Sequence, residues 1–387
     1  MNGVVVNKPL RDFEIWDRYN APGKLFSFDL ELTARCNLDC RHCYINQAAG
    51  DVHHAMQELT IKEIGQIADQ AVDMGAIWCL LSGGEPLLRK DFADIYIMLK
   101  KKGLLLSVFT NATLINQKHI ELFTKYPPRD LEVTVYGVTP ETYDTVTRRS
   151  GSFHAFKRGL DMLRENGLKV RLKAMALQSN VHEMQQIADF CRDYTKDYFR
   201  YDANLHLRFD RDPKKNADIK KERLSPEQIV ELEQQDPERF HALEEHCDKY
   251  VIPEFEFSTS NIVFGCGVGS GGSVNIGYDG KMRLCSSLYH PDFMADLRDV
   301  PLKEAIATLT PKVKSLTSNR ERFLNSCRVC SLVNLCQWCP ADAYLETGLL
   351  DEPVAHFCHV AHRRAAAVRH ETGDAEKQVS TSEAAGK

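Results

Sequence analysis

Residues 36–44 have the sequence Cys-Asn-Leu-Asp-Cys-Arg-His-Cys-Tyr, and they follow a strand-like run, LFSFDLELTA, at 25–34. One short loop therefore supplies three thiols at the spacing C-x3-C-x2-C, and they belong to Cys36, Cys40 and Cys43. A [4Fe–4S] cluster held by three thiolates keeps one iron without a protein ligand. That iron can bind a small molecule, so the spacing indicates a cluster that acts as a reagent.

The alternatives for this loop are a zinc ion or purely structural thiols. A structural zinc site is closed by four ligands, so zinc would need a partner such as His42 or His53 beside the three thiolates. The count of ligands favours the cluster.

The composition of the 387-residue chain is that of a soluble protein, with 43% hydrophobic and 27% charged residues. Its length is sufficient for two domains with separate cores. A formal net charge of −5 gives no electrostatic reason to expect a nucleic acid or an anionic membrane as a partner. The chain has no long apolar run and no signal peptide, so we expect a cytoplasmic protein.

From about Leu25 to about Leu207, strand-like apolar runs alternate with helical patterns. One of these helical patterns begins with a threonine cap at Thr60. Repeated βα units predict an α/β fold with a parallel sheet covered by helices, which is either doubly wound or a barrel. In such folds the loops at the carboxyl ends of the strands build the active site.

Several polar or glycine-rich positions lie at predicted strand ends. The second strand closes with Ser82-Gly83-Gly84-Glu85-Pro86, where glycines let the backbone approach a ligand and a carboxylate can accept hydrogen bonds from an amine. The alternatives are a simple strand–helix turn, turn capping and a solvated strand edge. The other candidates on the strands that follow are Thr110, Asn111, Thr134 and Lys173.

Thirteen cysteines are many for a reducing compartment, where clustered thiols indicate metal or redox chemistry. The C-terminal half has the spacing C-x13-G-x4-C, in which 275–285 predicts a hairpin with an Asp-Gly turn, then C-x2-C-x5-C-x2-C and a last cysteine. C-x2-C pairs also suit zinc, so two zinc sites are the alternative. The remaining Cys79, Cys191 and Cys247 are predicted to be small buried hydrophobes. The spaced cysteines are Cys266, Cys285, Cys327, Cys330, Cys336, Cys339 and Cys358.

Together, the cysteine loop with its following Tyr44 and the Gly83–Pro86 turn resemble the signatures of radical S-adenosylmethionine (SAM) enzymes. The resemblance implies a partial (β/α)6 barrel whose open iron binds the methionine amino and carboxylate groups of SAM. It also implies that Gly83, Gly84, Glu85 and Pro86 bind the SAM amino group. Thr110, Asn111 and Thr134 would face the ribose and carboxylate, and Lys173 would pair with the carboxylate.

The later cysteines resemble the SPASM domain, the seven-cysteine extension of radical SAM peptide-modifying enzymes. That resemblance implies two auxiliary Fe–S clusters, the first fully ligated by Cys327, Cys330, Cys336 and Cys358. The second would be held by Cys266, Cys285 and Cys339, with one iron lacking an evident cysteine. The chain departs from the family spacing before Cys339, with two intervening residues instead of three, and this puts that ligand in doubt.

The implied chemistry is reductive cleavage of SAM to a 5′-deoxyadenosyl radical, with an electron from a reductant such as flavodoxin or ferredoxin. Peptides or proteins are the expected substrates. Anaerobic sulfatase maturases have a catalytic aspartate where this chain has Ser286, and many relatives have Leu-Asp-Gly where it has Val-Tyr136-Gly. Ser286 cannot act as that base, which argues against formylglycine formation.

Our leading hypothesis is a maturase of a ribosomally made peptide that forms a thioether or a cross-link. Only about 25 residues precede the barrel, fewer than the ~50 that a recognition domain needs for a core, so a separate protein would recognise the leader unless the barrel itself does so. The competing hypotheses are a radical SAM enzyme acting on a cofactor or haem precursor, and a non-catalytic Fe–S or zinc scaffold.

The sequence divides into five predicted parts. An N-terminal extension, 1–24, precedes the radical SAM core barrel at 25–210. A charged, helical bridging segment follows at 211–254, and nothing in it suggests chemistry. The SPASM auxiliary-cluster domain with its β-hairpins would occupy 255–370, and a disordered tail 371–387.

Overall fold

A computed structural model describes residues 23–195, 199–247, 261–269 and 272–368 of the protein. Almost all of the predicted N-terminal extension (1–24) and the whole of the predicted tail (371–387) lie outside the described residues. No helix in the described ranges combines the length and the apolar character that crossing a bilayer requires.

Eleven strands form two sheets in the described residues. The larger sheet has nine strands in the order β11-β10-β9-β1-β4-β5-β6-β7-β8, and the smaller one pairs β2 with β3. The strands are β1 Ser27–Thr33, β2 Arg35–Cys36, β3 Gln47–Ala48, β4 Trp78–Gly83, β5 Leu105–Thr110, β6 Asp130–Val135, β7 Val170–Met175, β8 Arg200–Asp202, β9 Ser273–Ile276, β10 Lys281–Arg283 and β11 Met294–Asp296.

Helices connect most of these strands, and 355–368 is also helical. Short 3₁₀ turns cover Pro86–Leu88, Val181–Glu183, Pro291–Phe293 and Val333–Leu335, and a π turn covers Phe323–Cys327. The named helices are α1 Val52–Gln57, α2 Ile61–Asp73, α3 Phe92–Lys101, α4 Gln117–Lys125, α5 Pro140–Thr147, α6 Ser152–Glu165, α7 Met184–Tyr194, α8 Pro213–Glu222, α9 Pro226–Gln235, α10 Pro237–Cys247, α11 Leu302–Lys314 and α12 Pro340–Thr347.

The parallel sheet expected from the βα repeats is present. The pairs β1/β4, β4/β5, β5/β6 and β6/β7 are all parallel, and helices lie between successive strands in the sequence. In β6, Leu131, Val133 and Val135 are fully buried, whereas Asp130 and Thr134 on the opposite face are partly exposed. This alternation follows from the two-residue period of a strand and gives the sheet one apolar face and one polar face.

Local signals explain where individual helices begin. Helix α2 starts at the predicted cap, because the Thr60 side chain accepts from the Glu63 amide and the Glu63 side chain accepts from the Thr60 amide. Its apolar residues Ile64, Ile67 and Ala71 recur at helical spacing and are buried.

Contacts divide the chain into two compact units, and the first contains Met1–Met175, Ser179–Tyr201 and Cys266–Ser315. The predicted boundary at residue 255 differs from this division. The reason is that β9 pairs in parallel with β1, with Ser273 opposite Ser27, and so extends the barrel sheet. The predicted hairpin is confirmed, because β9 and β10 are antiparallel and Gly280 in its turn has a φ of 81°.

The second unit contains Ala176–Gln178, Asp202–Gly265 and Leu316–Lys387. Within its described residues, the predicted bridging segment forms α8, α9 and α10. A hydrophobic cluster organises this unit, and its buried members are Phe240, Leu332, Leu335, Ala361, Ala365 and Val368.

Candidate active site

The cysteine loop lies between β2 and β3, which pair in parallel and close its base. The amides of Asp39 and Arg41 donate to the carbonyls of Thr147 and Val146 at the end of α5, over 3.0 Å each. The first barrel strand, a two-strand clasp and one helix therefore hold the loop in place.

Backbone amides point at two of the three loop sulfurs. The Leu38 amide donates to the Cys36 sulfur over 3.4 Å, and the Asn46 amide donates to the Cys43 sulfur over 3.3 Å. Such donors stabilise negative charge on sulfur, so the loop is arranged for thiolates.

Burial, followed by the charge of the nearby Glu85 carboxylate, raises the pKa of the Cys36 thiol to about 12. Burial also raises the pKa of Cys40, followed by the charges of Cys43 and Cys36. These thiols are neutral unless a metal takes the place of their protons. The loop thus fits a cationic Fe–S group held by Cys36, Cys40 and Cys43.

In the described ranges, no three His, Cys, Asp or Glu side chains converge closely enough to hold a single metal ion. Each thiolate of an Fe–S cluster binds its own iron, so the cluster does not need that convergence.

The two glycines of the 83–86 turn allow close contact between strand ends. A Cβ on Gly83 would lie 2.2 Å from the carbonyl oxygen of Thr33, and one on Gly84 would lie 2.3 Å from that of Arg35. The amide of Gly84 donates to Thr33 over 2.6 Å, and that of Glu85 to Arg35 over 2.9 Å. The sequence predicted that these glycines let a ligand approach the backbone closely. In the structure they bring the turn close to the backbone that leads into the cysteine loop.

The Glu85 carboxylate is fully buried and accepts three hydrogen bonds from the protein. The donors are the Leu87 amide at 3.1 Å, the Thr110 hydroxyl at 2.8 Å and the Asn111 amide at 2.8 Å. Burial raises the pKa of Glu85 to about 7, against the lowering effect of these donors. The structure therefore brings Glu85, Thr110 and Asn111 together, as expected of one site. The Glu85 carboxylate, however, accepts its hydrogen bonds from groups of the protein.

The Asn111 side chain reaches back to the cysteine loop. Its amide nitrogen donates to the Asn37 side-chain oxygen over 3.0 Å and lies 3.8 Å from the Cys36 sulfur. The side-chain amide nitrogen of Asn37 in turn donates to the Thr113 hydroxyl over 2.8 Å. The sequence did not single out Asn37 and Thr113. The feature that could have indicated them is a short polar side chain next to a predicted ligand or strand end.

Thr134 and Lys173 lie directly opposite each other on β6 and β7. The Lys173 ammonium forms an ion pair with Glu132 over 2.5 Å and lies 3.9 Å from the centre of the Phe109 ring. Lys173 is therefore partly buried beside a carboxylate of its own sheet, and its contact with SAM stays a prediction.

A buried polar cluster that the sequence analysis also missed connects β1 with the 281–289 segment. Arg283 is 1% exposed and forms an ion pair with Glu31 over 3.1 Å. The Tyr289 hydroxyl donates to the same carboxylate over 2.9 Å, and the guanidinium carbon of Arg283 lies 3.6 Å from the Tyr289 ring centre. No spacing in the sequence relates these three residues, so only the β1/β9 pairing reveals them.

Four of the C-terminal cysteines line one cavity of about 550 Å³ within the second unit. They are the four that the sequence assigned to the first auxiliary cluster: Cys327, Cys330, Cys336 and Cys358. Other walls of the cavity include Trp338 and His362. A set of four thiols around one space matches the donor set of a fully ligated cluster.

Cys339 is not among the residues lining that cavity. Its sulfur caps α12 by accepting from the Asp342 amide over 3.3 Å, and the thiol faces the Asp342 carboxylate at 3.3 Å. Cys266 and Cys285 belong to the first unit and Cys339 to the second, so their shared cluster stays a prediction.

Comparison with known proteins identifies a domain that lies largely in the first unit. The model of the Radical SAM superfamily matches residues 30–191, which include the cysteine loop and the strands β4 to β7. This chain contains a radical SAM domain.

Two curated relatives match the radical SAM domain or more of the chain. The antilisterial bacteriocin subtilosin biosynthesis protein AlbA of Bacillus subtilis is 29% identical over 172 residues, which are 44% of this chain and 38% of AlbA. The chain thus spans less than half the length of AlbA. The AdoMet-dependent heme synthase of Methanosarcina barkeri is 25% identical over 342 residues, which are 84% of this chain and 94% of that protein.

A solved structure, native anSMEcpe with bound AdoMet and Cp18Cys peptide, superposes with a TM-score of 0.59. The match covers 92% of this chain and 99% of that one at 12% identity, so the likeness is one of fold. The expected α/β radical SAM architecture is confirmed.

Proposed function

We propose that this protein is a radical SAM enzyme with a SPASM-type C-terminal region and that it modifies a peptide. The observation that carries the proposal is a cavity lined by four thiols in a chain that also has the three-cysteine loop. These four thiols are those of Cys327, Cys330, Cys336 and Cys358. A non-catalytic scaffold with zinc sites would have no need of a [4Fe–4S] cluster that keeps one iron without a protein ligand.

In this proposal Cys36, Cys40 and Cys43 hold a [4Fe–4S] cluster, and bound SAM supplies the radical chemistry. The residues of the chain then have positioning roles. Glu85 and its three donors fix the carboxyl ends of β4 and β5 against the cysteine loop, and Asn111 reaches the Cys36 side of that loop. The backbone of Gly83–Pro86 and the side chains of Thr110, Asn111, Thr134 and Lys173 remain our candidates for contacts with SAM.

Two considerations support a peptide as the substrate. AlbA, by its name, takes part in making a bacteriocin, and the anSMEcpe structure contains a peptide together with AdoMet. In addition, within the described residues the nine-stranded sheet runs from β11 to β8 without closing on itself. An open sheet can admit a long substrate from the side, whereas a closed barrel admits one only from its end.

A second candidate is a tetrapyrrole. The match to the AdoMet-dependent heme synthase extends over nearly that whole protein, whereas the match to AlbA does not. The same cysteine loop and the same auxiliary cavity would serve either substrate, so the substrate test must include both.

The cellular setting belongs to the proposal as well. We infer that a low-potential carrier such as flavodoxin or ferredoxin supplies the electron and that the reaction takes place in the cytoplasm, where thiols stay reduced.

The first experiment is anaerobic reconstitution with iron and sulfide, followed by SAM and dithionite and quantification of 5′-deoxyadenosine. We expect Cys36→Ala to abolish deoxyadenosine formation, and Cys336→Ala to remove about four irons per chain while the loop cluster stays. Cys191→Ala is the matched control, because Cys191 is a buried thiol of α7 outside both groups. Zinc in place of iron, or cleavage of SAM by Cys36→Ala, would refute the enzymatic proposal.

The substrate experiment compares two probes under the same conditions. A candidate precursor peptide encoded beside the gene should lose two hydrogen atoms on forming a cross-link, as seen by mass spectrometry. An iron porphyrin bearing propionate side chains should stay unchanged. The reverse result would favour the tetrapyrrole candidate.

A further inference from the structure

Three side chains form a closed ring of hydrogen bonds between the cysteine loop and the end of β5. The side-chain nitrogen of Asn111 donates to the Asn37 side-chain oxygen over 3.0 Å, and the side-chain nitrogen of Asn37 donates to the Thr113 hydroxyl over 2.8 Å. The Thr113 hydroxyl closes the ring by donating to the Asn111 side-chain oxygen over 2.6 Å. Because Asn37 directly follows Cys36, the ring ties the first cysteine of the loop to a barrel strand.

The ring and its immediate neighbours use the full hydrogen-bonding capacity of the Asn111 side chain. A carboxamide has two donor hydrogens and two acceptor lone pairs. The nitrogen donates to Asn37 and to the Cys36 sulfur, the latter over 3.8 Å. The oxygen accepts from the hydroxyl of Thr113 and also from its backbone amide, the latter over 2.9 Å. With these four bonds made, any contact of the Asn111 amide with SAM is a packing contact and not a hydrogen bond.

The turn between Asn111 and Thr113 keeps a backbone conformation that is unfavourable for its sequence. Ala112 has a φ of 61°, and among the described residues it is the one fully buried non-glycine residue with a positive φ. An L-residue in this left-handed region brings its Cβ close to the backbone, which costs free energy. The Ala112 amide donates to the Thr110 hydroxyl over 3.0 Å, and a Cβ on Gly159 of α6 would lie 2.0 Å from the Ala112 carbonyl oxygen. Tertiary contacts therefore hold the turn in a strained form, which is typical of functional sites.

We propose that Asn111 is a positioning residue that clamps the cysteine loop, and that Thr113 and Asn37 hold its amide in the orientation that faces Cys36. The inference rests on the proposed function, because its consequence concerns a [4Fe–4S] cluster on the loop thiols. A loop that is tied to β5 opens locally less often, so its cluster loses iron more slowly. The resemblance to radical SAM enzymes implied instead that Asn111 faces the ribose or carboxylate of SAM.

The test measures how fast a chelator removes iron from the reconstituted full-length chain under anaerobic conditions, without SAM. Aliquots are reduced with dithionite and followed by electron paramagnetic resonance, and the signal that changes when SAM is added belongs to the loop cluster. Thr113→Val removes the ring hydroxyl and keeps the shape of the side chain, whereas Thr113→Ser keeps the hydroxyl. We expect loss of the loop cluster to be about tenfold faster in Thr113→Val, as for one missing hydrogen bond, and close to the wild-type rate in Thr113→Ser.

Asn111→Leu distinguishes a clamp from a SAM ligand, because it removes the amide at similar size. For a clamp, this variant loses the loop cluster faster even without SAM. The double variant Asn111→Leu/Thr113→Val should then lose it no faster than Asn111→Leu alone, since both substitutions break the same ring. A wild-type rate of cluster loss in Asn111→Leu, together with weaker SAM binding in equilibrium dialysis, would overturn the proposal, as would effects of the two substitutions that add.

If Asn111→Leu does not fold, the comparison of Thr113→Val with Thr113→Ser decides alone, and equal rates in these two variants would refute the clamp. Wild-type protein that binds no iron–sulfur cluster refutes the proposed function and this inference with it. Wild-type protein that cleaves SAM, with Thr113→Val at the wild-type rate of cluster loss, refutes only this inference.

Discussion

The hydroxyl of Thr110 donates a hydrogen bond of 2.8 Å to the Oε1 atom of Glu85, and both residues are buried. The bond joins the end of β5 to the turn after β4. Because the Asn111 amide donates to the other carboxylate oxygen, adjacent residues of one strand end secure both oxygens of Glu85. Glu85 therefore organises the strand ends that face the cysteine loop.

Thr110→Val should weaken this organisation without a change of shape. The variant removes one of the two donors to Oε1 of the buried carboxylate, the other being the Leu87 amide at 3.1 Å, at a cost of roughly 1–3 kcal/mol in the free energy of unfolding. We expect a lower thermal midpoint and weaker SAM binding, measured by anaerobic melting and by equilibrium dialysis. The exposed Thr124→Val in α4 serves as the control and should match wild type.

Gly84→Ala should be more damaging than a typical glycine substitution. Its methyl group would lie 2.3 Å from the Arg35 carbonyl oxygen, next to Cys36, so the strand ends must move apart. Overpacking of this kind costs roughly 1–3 kcal/mol or more, and we expect reduced iron content in the loop. Gly50→Ala, where an added methyl meets nothing within 4 Å, should leave both melting and iron unchanged. Equal behaviour of the two variants would contradict the close-approach role.

Arg364 should be important for the C-terminal cavity. It forms a buried ion pair with Glu233 over 2.7 Å and donates to the carbonyl of Leu335, which precedes Cys336, over 2.9 Å. Arg364→Leu leaves the Glu233 carboxylate buried, with Arg239 at 3.7 Å as its remaining ion-pair partner among the described residues, and should cost roughly 3 kcal/mol. We expect the loss of the cavity cluster and retention of the loop cluster, measured by iron content and electron paramagnetic resonance.

The neighbouring Arg363 provides the control for this prediction. Its ion pair with Glu227 has the same length, 2.7 Å, but the two side chains are 58% and 47% exposed. Exposed pairs contribute about 0–1 kcal/mol, so Arg363→Leu should be nearly neutral. If both variants lost the same cluster, burial of the Arg364 pair would not be the cause.

Asp29 should make stability depend on pH. Burial raises the pKa of its carboxyl from 3.8 to about 6, and the charge of Glu31 adds to the effect. The folded protein then holds the proton more tightly than the unfolded chain, so this contribution to stability is full below pH 3.8 and is lost as pH rises through about 6. Asp29→Asn should therefore match wild type in acid and exceed it by roughly 1–3 kcal/mol above pH 6.

The measurement is the difference in thermal midpoint between Asp29→Asn and wild type across this pH range. The control is the exposed Asp73→Asn at the end of α2, whose stability should stay within about 0.5 kcal/mol of wild type. A constant difference at all pH values would mean that Asp29 acts through packing instead of its charge.

The sequence predicted those parts of the protein whose signals are local. The cap at Thr60, the parallel βα units and the hairpin turn at Gly280 each depend on residues a few positions apart, and all are present. The grouping of Cys327, Cys330, Cys336 and Cys358 came from the resemblance to the SPASM domain, and the four thiols line one cavity.

Local sequence signals could not predict contacts between segments that are distant in the chain. The Arg283–Glu31 ion pair depends on β9 joining β1, which are more than two hundred residues apart in the sequence. The same pairing is why residues 266–315 group with the barrel strands instead of with the later cysteines.

The sequence by itself determined which reactive groups this protein carries: three thiols in one loop, glycines at a strand end, and a second set of cysteines. Only the tertiary structure decided which groups surround those thiols, such as Asn111 at Cys36. The physical reason is that ligand spacing is fixed by a short covalent path. Hydrogen bonding and burial depend instead on which strands the sheet places side by side.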